Sequence, residues 1–159
     1  MSLTALAEPI RSCQVWSMAS RITPHNLIVM ERGTSMDFEL CLAPDGDLAI
    51  LTNYADVTHQ SGIQRQRAMK AFSDEHKVTR FLIDTRGQRF VGGPLDLYTF
   101  VRKSLPAEGY DPHWRVALVA SPDDNSHDFL ETVCQNACYQ VMVFKNLKKA
   151  QDWLRRGSI

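Results

Sequence analysis

Residues 81–119 read FLIDTRGQRFVGGPLDLYTFVRKSLPAEGYDPHWRVALV, and the fold turns on how this stretch divides. Phe81-Leu82-Ile83-Asp84 is a short apolar run ending in polar residues, as in a central strand covered on both faces and opening into a loop at its C-terminal end. That loop runs from Thr85 to Pro94. Leu97, Tyr98, Val101 and Leu105 then recur at helical spacing, with Pro106 expected to stop the helix, and Val116-Ala117-Leu118-Val119 supplies the next buried strand. Strand, helix and strand in this order need a crossover, and right-handed crossovers lay parallel strands in one sheet.

The pattern extends both ways. Upstream, Asp37 to Tyr54 reads as a hairpin around Pro44-Asp45-Gly46-Asp47, where Gly46 can take positive φ and the aspartates can bond their own backbone. Phe38, Leu40 and Leu42 alternate with Glu39 and Cys41, which predicts a half-buried strand, and Leu48 to Leu51 is its partner. Thr58 or Ser61 offers an N-cap for a helix to about Phe72, with Ala68, Met69 and Phe72 on one face and Arg65, Arg67 and Lys70 on a solvated one. Downstream, Ser121-Pro122 ends a strand, and an apolar stripe of Leu130, Val133, Cys134, Ala137 and Cys138 follows a cap at Asn125 or Ser126. Val141 to Phe144 is a further strand, and Leu147, Ala150, Trp153 and Leu154 form a last amphipathic helix ending at Gly157. The expectation is an α/β fold: a mixed, mainly parallel sheet of five strands with about four helices.

Residues 1–36 read as an N-terminal arm ahead of a domain at 37–159. Pro9 and Pro24 interrupt the arm, and Met30 and Met36 are alternative starts. Val15, Trp16, Met18 and Leu27 to Met30 are too apolar for a solvated tail, so the arm is expected to dock on the domain or on a second copy. Leu27-Ile28-Val29-Met30 suits addition to an open sheet edge.

Lys+Arg 18 balance Asp+Glu 18, so there is no field to gather phosphates, and nucleic acid is disfavoured as a partner. The apolar runs are far shorter than the roughly 20 residues that cross a bilayer. Glu8, Pro9, Arg11 and Ser12 break any secretory signal in the first twenty residues, and no glycosylation sequon occurs, which favours the cytoplasm. Cys13, Cys41, Cys134 and Cys138 lack C-x-x-C spacing and are expected to be reduced.

Within 37–155 the layout resembles the STAS superfamily (sulfate transporter and anti-sigma-factor antagonist), in its small stand-alone bacterial branch. The marks are the opening hairpin, a third strand ending in Asp84-Thr85-Arg86-Gly87, a fourth closing on Ser121-Pro122, and the terminal Val-Phe-x-x-Leu-x-x-Ala-x-x-Trp-Leu at Val143 to Leu154. The resemblance implies a non-catalytic binding or regulatory module making protein contacts, with some relatives thought to hold small apolar ligands; a homodimer through helix faces and the arm is the expectation from the apolar arm. The antagonist branch carries a phosphorylated serine in an Asp-Ser-Ser-Gly-Leu turn. Here that turn reads Phe90-Val91-Gly92-Gly93-Pro94-Leu95 without a hydroxyl, and Thr85 is too early to replace it. The fold carries over and the phospho-switch does not.

Candidate site residues gather where open α/β sheets expose strand ends. Asp84, Thr85 and Arg86 read as a ligand site or as an ion pair tying the loop. Gly92 and Gly93 could present amides to an anion, but no phosphate-loop pattern surrounds them, and a flexible turn explains them. Asp123, Asp124, Asn125, Ser126, His127 and Asp128 mix oxygen donors with an imidazole, although capping of a helix start accounts for nearly all of them. Cys134 and Cys138 stand four apart but lack a second ligand pair, so packing is expected. His59, His76 and His113 read as solvated. No metal or cofactor is expected. Two rivals to the contact module remain: an apolar ligand or lipid binder with a pocket among Tyr98, Phe100, Phe129 and Met142, and a hydrolase or transferase using His127, Asp123 and Asp84.

Overall fold

A computed structural model describes Leu27–Ile28 and residues 37–156. Apart from Leu27–Ile28, the arm lies outside the described residues, as does the expected terminator Gly157. The elements are β1 (Leu27–Ile28), β2 (Phe38–Leu42), β3 (Ala49–Asn53), α1 (His59–His76), β4 (Arg80–Asp84), α2, β5 (Arg115–Val119), α3 (Asp128–Asn136), β6 (Gln140–Phe144) and α4 (Leu147–Arg156). Helix α2 runs in three pieces: Pro94–Thr99, a π-helical turn Phe100–Ser104, and Leu105–Ala107. The mixed, mainly parallel sheet expected from the apolar periods is present, and β1 joins it at the edge.

Strands lie side by side in chain order. Strand β2 is antiparallel to β1 and β3, whereas β3, β4, β5 and β6 run parallel. Each crossover moves one strand over in the same direction, so right-handed connections put α1, α2 and α3 on one face. The packing agrees: Met69 and Phe72 of α1, Val101 and Leu105 of α2, and Val133 and Cys134 of α3 share one core with Leu51, Phe81 and Val116. Among the described residues only α4 lies on the other face, where Ala150 and Leu154 meet Ile50, Leu82 and Ala117. Phe81 and Leu82 thus face opposite layers, as the period of two requires.

Several expectations are corrected. Strand β2 is buried on both faces, because Cys41 packs toward α4 and Glu39 accepts a hydrogen bond from the Tyr54 hydroxyl. Helix α1 passes Phe72 and ends where Lys77 turns left-handed at φ 59°. Its cap is the joint work of Thr58 and Ser61, each side chain accepting from the other's backbone N–H. Arg65 is not on a solvated face but buried, with Nε donating to Asn53 Oδ1 at 2.5 Å. Arg67 and Lys70 do lie outside, paired with Glu108 and Asp74.

Helix α2 ends at Ala107, one residue past the expected stop at Pro106. Without an N–H, Pro106 cannot bond the carbonyl four residues back. The helix absorbs the loss by widening, and Leu105 N–H reaches Phe100 O, five residues back. Helix α3 begins at Asp128, and neither Asn125 nor Ser126 caps it. Ser126 Oγ instead accepts from Phe90 N–H, and Asn125 Oδ1 accepts from Lys145. Cys134 and Cys138 carry free thiols, but Cys41 is disulfide-bonded, contrary to the expectation of four reduced cysteines. Cys138 is also off the apolar stripe, exposed and left-handed at φ 67° after the helix has ended.

Candidate functional site

The parallel strands end at one edge of the sheet, and two loops cross it. Val57, ahead of α1, pairs in parallel with Phe90, ahead of α2. Val57 N–H donates to Arg89 O at 2.9 Å and Val91 N–H to Val57 O at 2.8 Å. Asp56 Oδ1 accepts from Arg89 N–H, and Ser126 Oγ holds the Phe90 amide. The result is a strap over the ends of β3 and β4.

Asp84, Thr85 and Arg86 tie this strap down. Arg86 folds back on the buried Asp84 carboxylate, with Nε 2.9 Å from Oδ1 and Nη2 2.7 Å from Oδ2. The Thr85 amide and hydroxyl both donate to Val119 O, extending the β4–β5 ladder by one residue. Gly93 N–H donates to Asp96 Oδ2 of the same helix, so the anion place before α2 is held by the chain's own carboxylate. Gly92, at φ 144°, makes the bend that permits this.

Asp124 and His127 are the buried pair here, while Asp123 is exposed. Asp124 Oδ1 accepts from Ser126 N–H and lies 3.2 Å from Arg89 Nη1. His127 Nε2 is 3.7 Å from Asp124 Oδ2 and 3.5 Å from Gln88 O. Burial is the largest influence on His127 and lowers its pKa, outweighing the support from Gln88 O and Asp124, so the ring is held neutral. Burial works to raise the Asp124 carboxyl, but the Ser126 hydrogen bonds, His127 and Arg89 outweigh it and the net shift is downward. No hydrogen bond or ion pair among the described residues joins His127 to Asp84 or Asp123. The hydroxyls nearby are engaged, Thr85 with Val119 O and Ser126 with the Phe90 amide. Among the described residues no cluster of three or more His, Cys, Asp or Glu could hold a metal ion.

Beneath the strap, between the sheet and α1 to α3, lies a half-open cavity of about 100 Å³ whose wall is almost wholly carbon. Leu51, Ile83 and Leu118 form its floor, and Val57 and Phe90 close the strap end. Met69, Phe100 and Leu130 come from the three helices. Of the aromatic pocket expected from sequence only Phe100 belongs to it. Tyr98 and Phe129 line a separate outer groove with Arg102, Thr132, Val133 and Asn136, and Met142 lines neither. Cys134 also lines the cavity, and burial, the largest cause, with Glu131 pushes its thiol up to about 12. That sulfur stays protonated and inert.

Sequence reasoning missed Gly62, whose lack of a side chain admits the Phe100 ring. A Cβ there would stand 2.9 Å from Phe100 Cε1. An isolated glycine inside a helical pattern was the available signal. His59 is likewise engaged, bonding Ser104 at 2.8 Å and meeting Phe100 edge-on. His76 stacks on Phe72, while His113 is exposed as expected. No protein-family model matches the chain, and no curated protein matches it in sequence.

Proposed function

We propose that this chain is a non-catalytic STAS-like module that works by contact, and that its partner is a second copy docked on the α2–α3 face. The observation that carries the reading is the placement of exposed large apolar side chains. Among the described residues they are Val91, Leu95, Tyr98 and Phe129, and all come from the strap, α2 or the start of α3. Leu95 is 76% exposed, and Tyr98 and Phe129 wall the same groove. Large apolar side chains left exposed on neighbouring segments, two of them in one groove with Arg102, are the kind of surface that takes a partner. Charge complementarity favours a second copy. Arg102 on α2 and Asp128 on α3 have no ion-pair partner among the described residues, and a twofold arrangement setting α2 against the partner's α3 would pair them twice. The zero net charge opposes no such approach. The buried Thr85 hydroxyl is engaged with Val119 O, which supports a module without a phospho-switch.

Sedimentation equilibrium of the full chain tests this. Dimer is expected, with Leu95→Glu/Phe129→Glu monomeric at the same concentrations. A double variant that associates like the wild type would overturn it and shift the contact to the arm.

The cavity favours a second, compatible reading, a small apolar ligand held between sheet and helices. Its test is a methyl NMR titration with benzene, where an unmoved Met69 signal counts against it. In this reading the protein works in the cytoplasm, with Cys134 and Cys138 free and the Cys41 disulfide as the observation that stands against it. Recovery of the Cys41 disulfide from cells quenched with alkylating agent would count against that compartment.

A further inference from the structure

We propose that occupancy of the cavity by a small uncharged hydrocarbon-like molecule controls association through the α2–α3 face. The inference rests on the contact reading above and joins it to the cavity. Its basis is that both helices are two-sided walls. Helix α2 turns Leu97 and Phe100 into the cavity and Tyr98 and Arg102 into the outer groove. Helix α3 turns Leu130 and Cys134 inward and Phe129 and Asn136 outward. Nothing thicker than one helix separates the two spaces, so a shift of either wall is felt on the other side.

The wall also has a soft place and a hard backing. The π-helical turn Phe100–Ser104 lies in α2 where it faces the cavity, and such turns mark points where a helix can change its winding. Behind Phe100 stands Gly62, so close that even a methyl would meet the ring. The ring therefore has no room to retreat toward α1, and an occupant must act on α2 itself.

The wall chemistry names the ligand class. Arg65 bonds Asn53, Thr85 bonds Val119 O, and His127 faces Gln88 O, so these polar groups at the wall are already partnered. A charged ligand would lose its hydration and gain little. A carbon-lined pocket of this order of size takes small uncharged molecules such as benzene. An occupant packs against the cavity side of the same two helices whose outer side a second copy would meet, so the two binding events are coupled through these walls.

Benzene is the probe, read on full-length protein carrying ¹³C-methyl methionine, with Met69 assigned by Met69→Leu. Benzene is expected to move the Met69 methyl resonance and to tighten self-association in sedimentation equilibrium by about fivefold or more, the lower range of allosteric couplings. Cys134→Leu fills the cavity and should abolish the response while associating tightly without benzene; Leu130→Phe is the second filling variant if the first fails to fold. A Met69 shift with an association constant unchanged or weakened overturns the coupling and leaves the contact reading standing. A Met69 signal that benzene leaves unmoved, even in the enlarged Leu130→Ala variant, overturns the ligand class. Monomer under every condition overturns the contact reading and this inference with it.

Discussion

His127 shows how burial converts a titratable side chain into a structural one. In the unfolded chain it takes a proton near its ordinary pKa of 6.5, whereas in the folded protein burial lowers that pKa. Between the lowered value and 6.5 the unfolded state binds more protons, so stability rises with pH there and is lost as pH falls below about 6.5. Unfolding free energy measured in urea is expected to decline from pH 7 toward pH 5, and His127→Gln should flatten that decline. Asp124 acts at lower pH. Its lowered pKa keeps its contribution until pH drops below the ordinary carboxylate value of 3.8. Gly62 carries the opposite lesson, where a missing side chain sets a wall. Gly62→Ala gains about 1 kcal/mol of helix propensity and meets the far end of the Phe100 ring, which has the cavity to swing into. Its stability should stay within about 1 kcal/mol of wild type. Its Met69 methyl should no longer answer benzene, and an intact response would refute the assigned wall.

At the scale of elements, the outer edge of β6 is closed by its neighbour helix. Glu131 Oε2 of α3 accepts from Val143 N–H at 3.4 Å, and Gln135 Nε2 donates to Val141 O at 3.3 Å. These are outward-facing backbone groups of a terminal strand, the kind that recruits another chain when left bare. Glu131→Ala/Gln135→Ala is expected to change melting by less than about 1 kcal/mol of stability while raising light scattering on prolonged incubation. Unaltered scattering would show that the edge needs no cover. The element pattern was well marked in sequence wherever apolar periods were long: the β4–α2–β5 unit and the Leu130, Val133 and Cys134 part of the α3 stripe stand where their spacing put them, while Cys138 falls past the helix end. Ends were less readable. Asn125 and Ser126 looked like caps because their chemistry suits it, yet Lys145 and Phe90 from distant loops claim their side chains. Pro106 marked the end of α2 to within one residue, whereas the π-helical turn just before it left no sign in the spacing.

At the scale of the whole molecule, α4 is the one helix among the described residues that covers the second layer. Leu154 of α4 is fully buried against Leu82 and Ala117 of the sheet face opposite the other helices. Leu154→Ala should cost about 2–5 kcal/mol, read as a lower urea midpoint. A smaller loss would mean that α4 repacks. The strands and their covering helices followed from residue order alone, because a chain that alternates apolar runs with two-faced helices has few ways to bury both. Arg65 and His127 did not. Their polar character argues for solvent until distant partners, Asn53 for one and the strap for the other, make burial tolerable. The cavity and the outer groove were beyond sequence altogether: an empty volume is what remains when side chains from five or more separate segments fail to meet, and no single segment records that failure. Local periodicity therefore determined the layers, and only the packing of those layers decided which residues are walls, which are ties and which are offered to a partner.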